Sequence, residues 1–105
     1  MIRIDEELSM EGTVEGIEDL RWNDARITQY DNKIEVYIML TSISEAEKIP
    51  ARKLDVKLID KSGKEIATKE AEMQEISDKF GYTTLELVFD TSEKEVIYDI
   101  QIVAK

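Results

Sequence analysis

The chain has 105 residues, of which 42% are hydrophobic and 36% charged, and its formal net charge is −10. This length is typical of one domain with a single core, and the negative charge disfavours binding to a nucleic-acid backbone or an anionic membrane surface. Cysteine and histidine are absent, which excludes disulfides, cysteine zinc sites, the usual catalytic triads and histidine bases.

An acidic arm, 1–11, opens the chain without the basic start or apolar stretch of a secretory signal. Seven carboxylates lie in fifteen residues that contain no Lys or Arg: Asp5, Glu6, Glu7, Glu11, Glu15, Glu18 and Asp19. They are the candidate partner-binding residues, because they could dock a basic protein or imitate a phosphate backbone. The simpler interpretation, which we favour, is a hydrophilic edge strand whose charge discourages aggregation.

Alternation of apolar and polar residues predicts about seven strands. They are expected at 12–22, 25–30, 33–43, 53–60, 64–69, 82–90 and 95–104. In the last of them, Tyr98 shares the apolar face with Val96 and Ile100. Turns are expected at Asp31-Asn32, which tolerate a tight hairpin, and before Tyr82. Turn signals about every ten residues are typical of a β-sandwich or a barrel. Because several strands with one apolar face each need a covering layer, we favour an antiparallel β-sandwich.

Trp22, the only tryptophan, follows Leu20 at alternate spacing in the first predicted strand. A sandwich often buries one Trp between its sheets, whereas a carbohydrate-binding sandwich exposes an aromatic platform. We expect Trp22 to lie in the core.

The most regular alternation, Lys53–Lys69, is interrupted by Asp60-Lys61-Ser62-Gly63. A calcium loop of the EF-hand type would place Gly at position 6 and Glu at position 12, and a phosphate loop needs several glycines before a helix. This segment has neither pattern. Gly63 supplies the left-handed residue of a hairpin turn, and a turn is our prediction.

The same hairpin, Val56–Ala67, resembles the central hairpin of bacterial FxLYD-type modules and similar small immunoglobulin-like β-sandwich domains. Four residues match that pattern: Leu58, Asp60, Gly63 and Lys64. Val56 replaces the usual Phe, and Ile59 replaces the usual Tyr. The resemblance covers about 34–89 and implies an immunoglobulin-like fold, a cell-envelope or secreted protein and a non-enzymatic accessory role.

The segment 70–80 fits the strand pattern poorly. Met73, Ile76 and Phe80 are spaced three or four residues apart, and the residues between them favour helix. A short helix in 70–80 and a strand followed by a loop are both open, and we favour the second.

The chemistry available to this chain is that of carboxylates, lysines and hydroxyls. With 24 Asp and Glu residues, some close carboxylate pair is inevitable, so a pair alone does not indicate a glycosidase. We expect no enzyme, no cofactor and no metal site. Calcium bound at Asp5–Glu7, Glu15–Asp19 or Asp90–Glu95 is the alternative to a solvated acidic face.

The sequence thus predicts a single immunoglobulin-like β-sandwich domain over 1–105 that acts as a non-catalytic accessory or protein-interaction module. The expected partner is another protein, a basic one being an option, with no membrane insertion. The alternatives are a free-standing acidic inhibitor or decoy, or a carbohydrate- or calcium-binding module. If the chain is a domain excised from a longer protein, we expect that protein to belong to the cell envelope or to be secreted. If the chain is the full-length protein, we expect it in the cytoplasm.

Overall fold

The computed structural model describes residues 4–8, 12–43, 48–77, 81–90 and 97–105, with 4–8 given by their backbone alone. The strands are β1 (Ile4–Leu8), β2 (Gly12–Glu15), β3 (Ile17–Gln29), β4 (Ile34–Ser42), β5 (Arg52–Ile59), β6 (Glu65–Met73), β7 (Tyr82–Phe89) and β8 (Asp99–Ala104). No helix occurs in these ranges. The predicted all-β class is therefore confirmed.

All the strands belong to one mixed sheet. Its order is β6-β5-β8-β2-β3-β4-β7, and β1 pairs with β3 in line with β2. Every pairing is antiparallel except that of β2 with β8, where Val14 lies opposite Ile102. The sheet curls so far that its two end strands, β6 and β7, come into contact, and the shape is nearly that of a barrel.

The first two predicted strands have the wrong boundaries. The strand predicted at 12–22 is split by a turn at Gly16, whose φ of 96° favours glycine. The break predicted between 22 and 25 is instead a bulge inside β3, where Asp24 has a φ of 49° and the pairing with β4 shifts. A bulge inserts a residue without ending the strand, so β3 runs through the whole region.

The core consists of the inward-facing residues of the strands, which alternate with outward-facing ones. The predicted apolar faces are buried, including Val36, Val56, Leu87 and Ile100. Tyr98 is an exception to the prediction, because it is 60% exposed while its neighbour Ile97 is buried. Since β8 begins only at Asp99, the period-two alternation does not extend back to Tyr98.

The segment that fitted the pattern poorly is a strand followed by a loop. β6 continues to the buried Met73, beyond the predicted end at 69. Ile76 then exchanges two backbone hydrogen bonds with Ile49, at 2.8 and 2.9 Å, and both side chains are buried. Residues 70–77 contain no helix, and Phe80 lies outside the described residues.

The Asp60 turn is a hairpin turn, as predicted. Gly63 has a φ of 88°, and the backbone N–H of Asp60 donates to the carbonyl of Lys64 at 2.9 Å. The buried Asp60 carboxylate organises the turn, because its Oδ1 accepts from the Ser62 N–H at 2.9 Å, the Ser62 hydroxyl at 2.6 Å and the Lys64 N–H at 2.9 Å. Asp60 therefore has a structural role here.

Replacing Asp60 with alanine should lower the free energy of unfolding by about 1.5–3 kcal/mol, because hydrogen bonds to a charged acceptor are lost in a buried position. Asp60→Asn keeps an oxygen at the same place and should cost less. Urea unfolding followed by circular dichroism measures both, with the exposed neighbour Lys61→Ala as the control. A loss for Asp60→Ala no larger than the control would contradict this role.

Candidate functional site

The acidic residues singled out in the sequence form two groups that lie far apart. Asp5, Glu6 and Glu7 belong to β1 and pair with 26–28 of β3. Glu15, Glu18 and Asp19 are exposed around the β2–β3 turn, and Glu11 lies outside the described residues. Between positions 19 and 27 of β3, a rise of about 3.3 Å per residue gives a separation of about 26 Å. The structure therefore places the backbone of Asp5–Glu7 well away from Glu18 and Asp19.

Trp22 is buried, with 2% of its surface exposed, which confirms the prediction. Its neighbour across the β2–β3 pair is Gly12, and a Cβ at that position would overlap Nε1 and Cε2 of the indole. The ring thus occupies the space that a side chain at 12 would need. A buried indole cannot serve as a platform for sugar, so the carbohydrate-binding alternative loses the residue on which it depended.

The outer side of β3, β4 and β7 forms an aromatic face, which we define by Arg21, Arg26, Tyr37, Met39, Tyr82 and Val88. Cross-strand pairing places Arg26, Tyr37 and Glu86 in one row, because residues opposite each other point to the same side. Tyr82 and Val88 are 67% and 40% exposed. Side chains on this surface line a shallow depression of about 460 Å³.

The outer side of β5, β6 and β8 forms a charged face, which we define by Lys53, Asp55, Lys57, Glu65, Glu70 and Lys105. Lys105 Nζ lies 2.6 Å from Glu70 Oε2 and 3.8 Å from Asp55 Oδ1. Lys53 Nζ is 3.8 Å from Glu70 Oε1. The hydrogen bond from Lys105 lowers the pKa of Glu70, and the same bond raises the pKa of Lys105.

The Glu70–Lys105 pair gives a pH dependence whose sign follows from the lowered pKa of Glu70. The carboxylate stabilises the folded chain above its unfolded pKa of about 4.3, and this contribution is lost as the pH falls through the lower folded value. The difference in stability between the wild type and Glu70→Gln should therefore shrink in acid. Because the pair is exposed, about 1 M salt at neutral pH should also shrink it.

Urea titrations of the wild type and Glu70→Gln between pH 3 and pH 7 test this, with Glu18→Gln as the control for removing one negative charge. A difference that grew in acid would contradict the assigned pairing.

The described ranges contain no group of three or more Asp and Glu side chains arranged to hold a metal ion. Glu15, Glu18 and Asp19 lie within those ranges, whereas the side chains of 5–7 and the segment 91–95 do not. The same ranges contain no helix of the length and apolarity required to cross a membrane.

Comparison with known proteins gave no match to any protein-family model, curated protein or solved structure. The resemblance of Val56–Ala67 to FxLYD-type hairpins remains a prediction.

The aromatic face is not among the candidate sites predicted from the sequence. A signal for it was nevertheless present, because Tyr37 and Met39 occupy positions of β4 that the alternation assigns to the polar side. Tyr82 and Val88 likewise fall on the outward phase of β7. Apolar or aromatic residues at outward positions of neighbouring strands indicate an interaction surface, because these side chains do not pack in the hydrophobic core.

Proposed function

We propose that this chain is a non-catalytic module that binds another protein through the aromatic face. The observation that carries the proposal is the contrast between the two outer faces. Protein interfaces are enriched in Tyr, Met and Arg and depleted in Lys, Glu and Asp. The outward positions of β3, β4 and β7 hold two Tyr, one Met and two Arg beside Glu35 and Glu86, whereas the outward positions of β5, β6 and β8 hold no Tyr, Met or Arg and most of them are Lys, Asp or Glu.

The geometry of the aromatic face supports the same function. Tyr37 is partly exposed in the middle strand of three, between Arg26 and Glu86. Binding energy is concentrated in such central Tyr, Trp and Arg residues, which a polar rim shields from water. Tyr37 is therefore the anchor that we expect a partner to cover.

The finer fold class is also part of this proposal. We assign an immunoglobulin-like sandwich with β1, β3, β4 and β7 in one layer and β5, β6 and β8 in the other. Support comes from the Val56–Ala67 hairpin and from the in-line pair β1 and β2. β1 and β2 together form backbone hydrogen bonds along the length of β3, and β2 also pairs with β8. β1 and β2 would thus act as one first strand that passes from one layer to the other.

Site-specific photo-crosslinking in cells that naturally make the protein tests the proposed function. A photoreactive residue at Val88, on the aromatic face, should give one discrete adduct, and one at the exposed Gln101, on the opposite side, should not. The partner identified in the Val88 adduct, once purified on its own, should bind the wild-type chain in vitro. Tyr37→Ala should raise the Kd about tenfold or more, and Lys57→Ala on the charged face should leave it unchanged.

Adducts from Gln101 that match those from Val88, or a Kd insensitive to Tyr37→Ala, would overturn the aromatic face as the binding surface.

A further inference from the structure

The two end strands of the sheet, β6 and β7, meet along a seam. They lie in contact, but the described residues show no ladder of backbone hydrogen bonds between them. Lys69 bridges the seam, because its Nζ donates to the Val88 carbonyl at 2.7 Å. A small depression lined by Ala67, Thr68, Phe89 and Asp90 adjoins this contact.

The bond to Lys69 shows which backbone groups of β7 face the seam. In an antiparallel pair, alternate residues direct their N–H and C=O groups to opposite edges of the strand. Since the Val88 carbonyl points away from β4, the backbone groups of Glu86 and Thr84 point the same way. Lys69 donates a hydrogen bond to one carbonyl of this edge, that of Val88. An edge of this kind is a template for an added strand.

The charge around the seam indicates the chemistry of that strand. Glu72 on β6, Glu86 on β7 and Asp90 directly after β7 are carboxylates of the two strands that meet at the seam. Lys69 is the cation of the seam, while Glu65 and Glu70 pair with lysines of the charged face. A basic segment therefore complements the seam. A second copy of this chain would bring further acid to it, and like charges at a contact are unfavourable.

We propose that β7 accepts an extended, basic segment of the partner protein as an additional strand, which displaces Lys69 from the Val88 carbonyl and separates β6 from β7 along the seam. This inference rests on the proposed protein-binding function and specifies the partner's chemistry. An added strand would extend the layer that carries the aromatic face, so its alternate side chains would lie beside Val88 and Tyr82. The aromatic face and the seam would then form one continuous binding surface.

The test uses a blocked ten-residue peptide of alternating Lys and Val as the probe, in about 150 mM salt. Titration of the ¹⁵N-labelled protein should shift the amide signals of Thr84, Glu86 and Val88. A second peptide, methylated on alternate backbone nitrogens, keeps the charge but cannot pair with a strand edge, and it should bind at least tenfold more weakly. Lys69→Gln should raise the affinity several-fold more than Lys57→Gln, which removes the same charge on β5.

Three outcomes would overturn the inference: no binding of the probe, equal binding of the methylated peptide, or equal effects of Lys69→Gln and Lys57→Gln. Dimerisation of Lys69→Gln, measured by sedimentation, in place of peptide binding would identify a second copy as the occupant and also overturn it. None of these outcomes alters the Val88 crosslinking or Tyr37→Ala results, so failure at the seam is distinguishable from failure of the proposed function.

Discussion

Replacing Gly12 with alanine is expected to lower the free energy of unfolding by about 2–3 kcal/mol, although only one methyl group is added. The new Cβ would overlap the indole of Trp22, which is buried and cannot simply swing outwards. Overpacking a dense core forces side chains off their preferred rotamers and shifts the backbone. Denaturant unfolding gives the free energy, and a red shift of the native tryptophan emission would report displacement of the ring.

Gly63→Ala is the matched control for this prediction, because a Cβ at Gly63 meets no atom within 4 Å. Its cost should come from the backbone alone, since a φ of 88° is unfavourable for alanine by about 1–2 kcal/mol. Tryptophan emission should not change in Gly63→Ala. If Gly12→Ala were as stable as the wild type, with an unchanged emission maximum, the close packing of β2 against Trp22 would be wrong.

A second large effect is expected for Ile38→Ala, which should cost about 2–5 kcal/mol. Ile38 lies at the centre of β4 with 0% exposure, so truncation leaves a cavity among the buried residues of the neighbouring strands. Since domains of this kind are stable by about 5–15 kcal/mol, the loss is a substantial fraction of the total. Thermal and urea unfolding monitored by circular dichroism provide the measurement.

Ile43→Ala removes the same atoms just beyond the end of the same strand, where the side chain is 42% exposed. It should cost less than about 1 kcal/mol, because less apolar surface is returned to water and no enclosed cavity forms. Equal losses for Ile38→Ala and Ile43→Ala would show that Ile38 does not face the core.

Much of the fold could be predicted because a strand with one buried face alternates apolar and polar residues along its sequence. In β4, each inward position from Ile34 to Leu40 is buried and each intervening position is partly exposed. The pattern failed where the backbone departs from a regular strand, as at the Gly16 turn and the Asp24 bulge. It failed at Tyr98 for the same reason, since that residue precedes β8. Local irregularities change the phase of the alternation without changing the composition.

The candidate site was less predictable, because it depends on which strands are neighbours. Arg26, Tyr37 and Glu86 are separated in the chain by 11 and 49 positions, and only the sheet order places them in one row. Glu6 and Asp19 are close in sequence, but an extended chain carries them far apart in space. The role of the acidic residues in binding a partner therefore stays a prediction.

The parallel pairing of β2 with β8 has a consequence for how the chain folds. It joins Val14 to Ile102, which are 88 positions apart. Forming such a pair requires closure of a loop that includes most of the molecule, and contacts at long sequence separation slow folding. The hairpin of β5 and β6 can form early and locally, but the strands on either side of β2 are linked only once the last strand has docked. Until then, β2 exposes an unpaired edge, and this is the stage at which misassembly between chains is most probable.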